Sequence, residues 1–200
     1  MFTGIITNRS KIIDVRKTGS GLYVEFTKPK SWNLKPGESV SVNGICSTVV
    51  RKTPSSFAAE YMEETILKTT LGAWKRGNEV NLERSLKSGD ALHGHLVMGH
   101  VDTAGKIVDI QNRKWSKILK IKIPSKLMML IAEKGSVTLD GVSLTVVSRG
   151  SDWFTVSLIS YTLKNTNLKN LKSGYNVNVE TDIIAKYLNT TQIHDSDASV

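Results

Sequence analysis

The residues of this chain that could do chemistry are one cysteine, a serine in a matching context and a cluster of histidines. Cys46 follows Asn43-Gly44 in Ser41-Val42-Asn43-Gly44-Ile45-Cys46-Ser47-Thr48, and Ser143 follows Asp140-Gly141 in Thr138-Leu139-Asp140-Gly141-Val142-Ser143-Leu144-Thr145. A lone cysteine is most often a small core residue, and one thiol cannot form an intrachain disulfide, which agrees with a reducing compartment. His93, His95 and His100 fall within eight residues, so a metal site is weighed first. His93 and His95 share one face of a strand while His100 has the other parity, and no second cysteine or acidic partner completes a shell, so no metal is assigned. His93 is read as a locally hydrogen-bonded strand or loop histidine. His100 differs, because the repeat described next sets it opposite Thr3.

Those two serine and cysteine contexts are copies of each other. Residues 39–83 align with 136–180 at a constant offset of 97, with 15 of 45 positions identical, including Gly44 with Gly141, Thr48 with Thr145, Phe57 with Phe154 and Glu83 with Glu180. Lys11 to Val15 resembles Lys106 to Ile110 at an offset of 95. The chain is therefore read as two homologous domains, 1–90 and 91–181. Cys46 stands opposite Ser143 and Asn43 opposite Asp140. Duplicated positions that carry different polar groups suggest two similar ligands held in two similar pockets and treated differently.

The elements that must position these residues are short and β-rich. Leu22 to Phe26 and Leu119 to Ile123 alternate or run apolar, and Asn43-Gly44 and Asp140-Gly141 are hairpin dipeptides followed by valine-rich stretches. Two small antiparallel barrels follow as the architecture, mainly β, with helical turns expected at Ser125 to Ala132 and Glu63 to Leu71. Residues 182–189 have apolar side chains at helical spacing and no counterpart after the first copy, so a C-terminal helix is expected, docked on its own barrel or on neighbouring subunits. The polar stretch 190–200 is expected to be disordered.

Composition narrows the function classes. With 27 Lys+Arg against 18 Asp+Glu over 200 residues the net charge is +9. The excess is spread evenly, +5 in residues 1–97 and +4 in 98–200, with no basic tail, which argues against nucleic-acid binding. The longest apolar run, Leu127 to Ala132, is six residues, far below the ~18 needed for a membrane span. The first residues lack the basic start of a secretory signal, and the chain is read as cytoplasmic.

Several segments taken together carry a family resemblance. Met1-Phe2-Thr3-Gly4-Ile5-Ile6, Ser41 to Thr48, Glu63-Glu64-Thr65 with Thr69 to Gly72, Val80 to Arg84, Gly94 to Asp102, Gly135 to Thr145 and Val177 to Asp182 resemble the riboflavin synthase alpha-chain family in order, spacing and duplication. The resemblance covers residues 1 to about 188. It implies two homologous Greek-key-like β-barrels followed by a helix that gathers a cytoplasmic homotrimer, and an association with lumazine synthase. The implied activity is a dismutation: two molecules of 6,7-dimethyl-8-ribityllumazine exchange a four-carbon unit and give riboflavin and 5-amino-6-(ribitylamino)uracil, in riboflavin biosynthesis, with no metal or organic cofactor. A non-catalytic lumazine- or flavin-binding antenna protein on the same fold is the alternative. Such binders tend to lose the polar site residues.

The same resemblance implies roles residue by residue. His100 is the candidate for proton transfer, histidine being the side chain that ordinarily titrates near neutral pH. Cys46 and Ser143 are candidates for nucleophilic or hydrogen-bonding assistance at each ring, Thr48 and Thr145 for hydrogen bonds beside them, and Asp140 for a charged partner near the C-terminal pocket. Substrate contacts are expected from Gly4, Ile5 and Ile6, from Ser41 with Cys46, Ser47 and Thr48, and from Glu60, Tyr61, Met62, Glu63, Glu64 and Thr65. They are also expected from Gly99, His100 and Val101, from Lys134, from Ser143, Leu144 and Thr145, and from Ser157, Leu158, Ile159, Ser160, Tyr161 and Thr162. Two positions depart from the family pattern: Ser160-Tyr161 stands where a proline usually follows Leu-Ile, and Ser47 replaces a leucine. Both bear on pocket shape.

Overall fold

Alternation of side chains along short strands decides the architecture. In Gly21–Thr27, for example, Leu22, Val24 and Phe26 are buried while their neighbours are not, the period-2 pattern of a strand with one face on a core. The structure, a computed structural model, describes residues 1–19 and 21–197. Strands β1 (Asn8–Thr18), β2 (Gly21–Thr27), β3 (Ser39–Val42), β4 (Ile45–Lys52), β5 (Ser56–Met62) and β6 (Glu79–Arg84) close into a barrel in the order β1-β2-β5-β4-β3-β6. Strands β7 (Thr103–Asn112), β8 (Ser116–Lys122), β9 (Ser136–Leu139), β10 (Val142–Arg149), β11 (Trp153–Ile159) and β12 (Asn176–Thr181) close a second one in the equivalent order. All pairings are antiparallel. The connection 85–102 separates the barrels.

Closure requires strong coiling, and bulges supply it at matching places. Register shifts fall between Ile12 and Asp14 in β1 and between Ile107 and Asp109 in β7, and again between Val49 and Arg51 in β4 and between Val146 and Ser148 in β10. The first core packs Phe26 on Phe57, ring centroids 5.1 Å apart, with Trp74 edge-on to Phe26. The second is built on Ile107, Leu119, Ile121, Phe154 and Leu168. Each barrel is capped by a short helix, α1 (Glu63–Lys68) or α2 (Ser160–Asn165), and a following 3-10 turn, Thr70–Ala73 or Asn167–Asn170. A further 3-10 turn spans Ser125–Leu130.

The two hairpin dipeptides meet at the seam between the barrels. Asn43 and Gly44 have φ of 47° and 78°, and Asp140 and Gly141 have 45° and 78°, the left-handed pair of a two-residue hairpin turn. A Cβ on Gly44 would come within 2.7 Å of the Gly141 nitrogen, and one on Gly141 within 2.7 Å of the Gly44 nitrogen, so tip-to-tip contact requires glycine on both sides. Around them Asn81 donates from Nδ2 to the Asp140 carbonyl (3.0 Å) and Asn178 from Nδ2 to the Asn43 carbonyl (2.9 Å).

The C-terminal helix α3 spans Ile183–Asp197, a longer run than the expected 182–189. No proline or glycine interrupts residues 183–197, and Thr190 donates from Oγ1 to the Lys186 carbonyl (2.9 Å), so nothing stops propagation. Residues 198–200 lie outside the described residues. The helix root docks on its own barrel: Asp182 Oδ1 caps the Ile184 N–H (2.9 Å), and Lys186 pairs with Asp102 (2.7 Å). No described helix is long and apolar enough to cross a membrane.

Candidate functional site

Two outer faces, one on each barrel, collect most of the residues singled out from the sequence. On β4, Ile45, Ser47 and Val49 point inward, so Cys46, half-buried, and Thr48, exposed, face outward. On β10, Val142, Leu144 and Val146 point inward, leaving Ser143 and Thr145 outside in the same way. Glu60 and Met62 on β5 are exposed next to the first face, with Glu63, Glu64 and Thr65 following on α1. Ser157 and Ile159 on β11, with Ser160, Tyr161 and Thr162 on α2, occupy the equivalent places on the second.

Each face is completed by a segment that also contacts the other barrel. The Cys46 N–H donates to the Gly99 carbonyl (2.8 Å), and the Ser143 N–H donates to the Gly4 carbonyl (2.8 Å). Gly4 and Gly99 both have φ of 77°, and a Cβ on either would come within 2.8 Å of the Ser143 or Cys46 backbone. Only glycine lets the two chains approach so closely. Beyond these turns Ile6 packs on the core of the second barrel and Val101 on the core of the first. The segments themselves are joined by an antiparallel bridge between Phe2 and Val97.

This geometry corrects one equivalence. Gly4 matches Gly99, so the offset here is 95, and His100 corresponds to Ile5 rather than to Thr3. The offset of 97 begins only after β1, β2 and the loops that follow them. His100 is exposed and follows directly on the turn that pins Cys46.

A histidine to which the sequence assigned no role is built into the second face. His95 Nδ1 lies 2.8 Å from Ser143 Oγ, and the His95 N–H donates to the Thr3 carbonyl (3.1 Å). Burial pushes the His95 imidazole below its ordinary range, opposed by the nearby Asp182 carboxylate. A neutral ring with its proton on Nε2 accepts the Ser143 hydroxyl proton at Nδ1, the hydrogen bond needed to move a proton to or from a bound ring. The only sequence signal was the odd clustering of histidines, because Ser143 lies 48 residues further on.

Asp140 is not brought to Ser143. It is 5% exposed in the seam, where Oδ1 accepts the Asn178 N–H (2.8 Å) and Oδ2 accepts from Asn167 Nδ2 (3.4 Å). Burial raises its carboxyl to about 7, against those two hydrogen bonds. Its backbone conformation demands a turn residue, and an Asx side chain that bonds the neighbouring strand holds the turn. Ser41 is likewise buried, on β3 opposite Cys46. Ser47, Tyr61, Leu144 and Leu158 point into the barrels, so only their backbones border the faces. Lys134 is exposed in a turn with φ of 64°, where the first repeat has Gly37 at 88°. Ser160 is the first residue of α2, the helix position that best tolerates proline, so serine there keeps the same local fold.

Neither face is an enclosed pocket. A cleft of about 690 Å³ lies instead along the seam, bordered by Trp74, Asp140, Asn167 and Tyr175, and it contains none of Cys46, His95, His100 or Ser143. The faces are open shelves, each with a polar side chain, a threonine two residues on and a histidine at its edge.

Comparison with known proteins agrees with the duplication. The family described as lumazine binding domain matches residues 3–85 and again 98–182. The riboflavin synthase of Actinobacillus pleuropneumoniae is 42% identical over 189 residues, 94% of this chain and 88% of that protein. The riboflavin synthase of Mycobacterium bovis is 38% identical over 193 residues, 94% of this chain and 96% of that protein. Among solved structures, LumP complexed with 6,7-dimethyl-8-(1'-D-ribityl) lumazine superposes with a TM-score of 0.82 at 26% identity, covering 90% of this chain and 99% of that one. LumP complexed with riboflavin gives 0.81 at 28% identity.

Proposed function

The chain belongs to the riboflavin synthase family, each of its repeats being a lumazine-binding domain, and on that premise we propose that it catalyses the dismutation of 6,7-dimethyl-8-ribityllumazine. The products, riboflavin and 5-amino-6-(ribitylamino)uracil, together hold the atoms of two substrates, so no oxidant or reductant is needed. The observation that carries the reading is the pair of equivalent but chemically unlike faces, Cys46 with His100 on one barrel and Ser143 with His95 on the other. Two copies of one molecule must be held in one orientation and treated differently, one giving up four carbons and the other receiving them. Holding both rings removes the entropic penalty of a bimolecular encounter.

The 7-methyl protons of the lumazine are acidic because the carbanion delocalises into the ring. The protein's tasks are therefore to orient the rings, move protons and stabilise an anion or adduct. On the second barrel the Ser143–His95 pair moves the proton. On the first, Cys46 and His100 assist the other ring, with Thr48 and Thr145 hydrogen-bonding beside them.

Gly4 and Gly99 lie on opposite sides of the antiparallel Phe2–Val97 bridge, which supports a reading in which the two faces of one chain do not bring their rings together. Two rings in face-to-face contact therefore come from different chains, the first barrel of one subunit meeting the second barrel of its neighbour in a homotrimer. Ile184 and Tyr187 on α3, 55% and 71% exposed, supply an apolar surface for that assembly. A free thiol at Cys46 fits a cytoplasmic setting.

The likeness to LumP favours a second reading, in which the chain binds lumazine or flavin without turning it over. The presence of Cys46, His100 and Ser143 together favours turnover. Mixing the protein with 6,7-dimethyl-8-ribityllumazine, without metal or cofactor, decides between them. One riboflavin formed per two lumazines consumed is expected, whereas tight binding with a stable lumazine spectrum would establish the binder.

A further inference from the structure

We infer that Glu83 and Glu180 are positioning residues that act crosswise, each carboxylate being rooted in one barrel and fixing the functional face of the other through a glycine turn. The inference rests on the reading of the two faces given above. Glu83, on β6 of the first barrel and 4% exposed, accepts hydrogen bonds at Oε1 from the Thr3 N–H (2.7 Å) and the Thr3 hydroxyl (2.7 Å), and at Oε2 from the Gly4 N–H (3.0 Å). The Gly4 carbonyl then receives the N–H of Ser143 on the second barrel. Glu180, on β12 of the second barrel and 1% exposed, accepts at Oε1 from the Met98 N–H (2.8 Å) and at Oε2 from the Gly99 N–H (3.0 Å). The Gly99 carbonyl receives the N–H of Cys46 on the first barrel.

Burying a carboxylate is costly, and a barrel that needed only stability would place an apolar side chain at these positions. Burial raises both groups, Glu180 to about 7, while the turn N–H groups pull the other way. The chain nevertheless carries glutamate at both copies of the position. The N–H groups of a left-handed glycine turn converge on one point, and a two-oxygen acceptor satisfies them together in a way that a single hydroxyl or amide oxygen cannot. What the carboxylates secure is thus the placement of Gly4 and Gly99, and through their carbonyls the strand positions of Ser143 and Cys46. Ile5 and His100, the next residues along, are placed by the same turns.

The crossed pattern is testable because Cys46 is the only thiol in the chain and its labelling rate reads the first face alone. The imidazole titration of His95, assigned by NMR with His95→Gln, reads the second. In the full chain, Glu180→Gln is expected to raise the labelling rate of Cys46 by dithiobis(nitrobenzoate) roughly tenfold and leave the His95 titration in place. Glu83→Gln is expected to move the His95 titration and leave the labelling rate within twofold. In each variant kcat falls more than KM rises. Should a glutamine variant fail to fold, Glu180→Asp and Thr3→Val give the same crossed pattern with smaller amplitude. Effects confined to the mutated barrel, equal effects on both readouts, or none would overturn the inference. Failure of the wild-type chain to convert lumazine would instead refute the proposed activity, leaving the labelling pattern to decide this point.

Discussion

The hydroxyls of Ser47 and Tyr61 lie 2.7 Å apart inside the first barrel, at positions where the second barrel has the apolar pair Leu144 and Leu158. Ser47 also donates to the Ile45 carbonyl (2.9 Å). The unexpected serine is thereby explained: a phenol has entered the core, and it needs a partner there. Burial pushes the Tyr61 phenol well above its ordinary range, so it stays protonated. The pair sits directly behind Cys46 on β4 and shapes the first face from within.

Ser47→Leu therefore leaves the Tyr61 hydroxyl buried without its side-chain partner and is expected to destabilise the chain by ~1–3 kcal/mol. The double variant Ser47→Leu with Tyr61→Leu recreates the pair of the second barrel and should lose less than the sum of the two single variants. Urea unfolding midpoints for the four proteins give the coupling directly. Additive effects would show that the two hydroxyls do not support each other.

The Ser143–His95 contact predicts a pH signature. Burial lowers the His95 imidazole, so the ring stays neutral from alkaline pH down to below ~6.5, its ordinary value, and protonation under that point removes its ability to accept from Ser143. We expect kcat to show an acid limb lying below 6.5 that His95→Gln abolishes, with turnover reduced roughly 100-fold in both His95→Gln and Ser143→Ala. An unchanged limb in His95→Gln would assign it to another group.

Asp140 predicts a different pH dependence, in stability. Its carboxyl is near 7 in the folded chain against an ordinary value of 3.8. Between those values the folded state holds a proton that the unfolded state has released, so this group's contribution is fully present at low pH and is lost as pH rises toward 7. Asp140→Asn, which copies Asn43 of the first repeat, should match the wild type near pH 4 and exceed it by ~1 kcal/mol or more at pH 8. Denaturant unfolding at the two pH values is the measurement, and a difference independent of pH would show that the seam carboxylate does not titrate with folding.

The contrast between Asp140 and His95 shows what could be read from residues alone. The hairpin dipeptides, the β4 and β10 alternation and the placement of Cys46 opposite Ser143 depend on local spacing, and the duplication made each visible twice. Contacts between the halves leave no such trace. The offset changes from 95 to 97 between β2 and β3, so extending the later register backward paired His100 with Thr3 instead of Ile5. His95 meets Ser143 only because the connection carrying it folds back along the Thr3–Gly4 segment that borders Ser143, and Asp140, which the family resemblance assigned to the C-terminal pocket, has its carboxylate in the seam. The helix ran past 189 because Asn, Thr and Thr lower helix propensity by only tenths of a kcal/mol each and do not break a helix already started.

Assembly offers the last test, because turnover and association should fail together. The base of α3 is fastened by the Asp102–Lys186 pair, and Asp102 Oδ2 also accepts from the Thr181 N–H and hydroxyl, both at 2.8 Å. The helix is thus held against the segment that carries His100 while Ile184 and Tyr187 face outward. Replacing both by lysine removes apolar contact area without touching either functional face. If the rings meet between subunits, the Ile184→Lys, Tyr187→Lys protein should sediment as a monomer, keep its fold by circular dichroism and still bind lumazine. Its turnover per chain should then rise steeply with protein concentration. A monomer that converts lumazine at the wild-type rate at every concentration would place both rings on one chain.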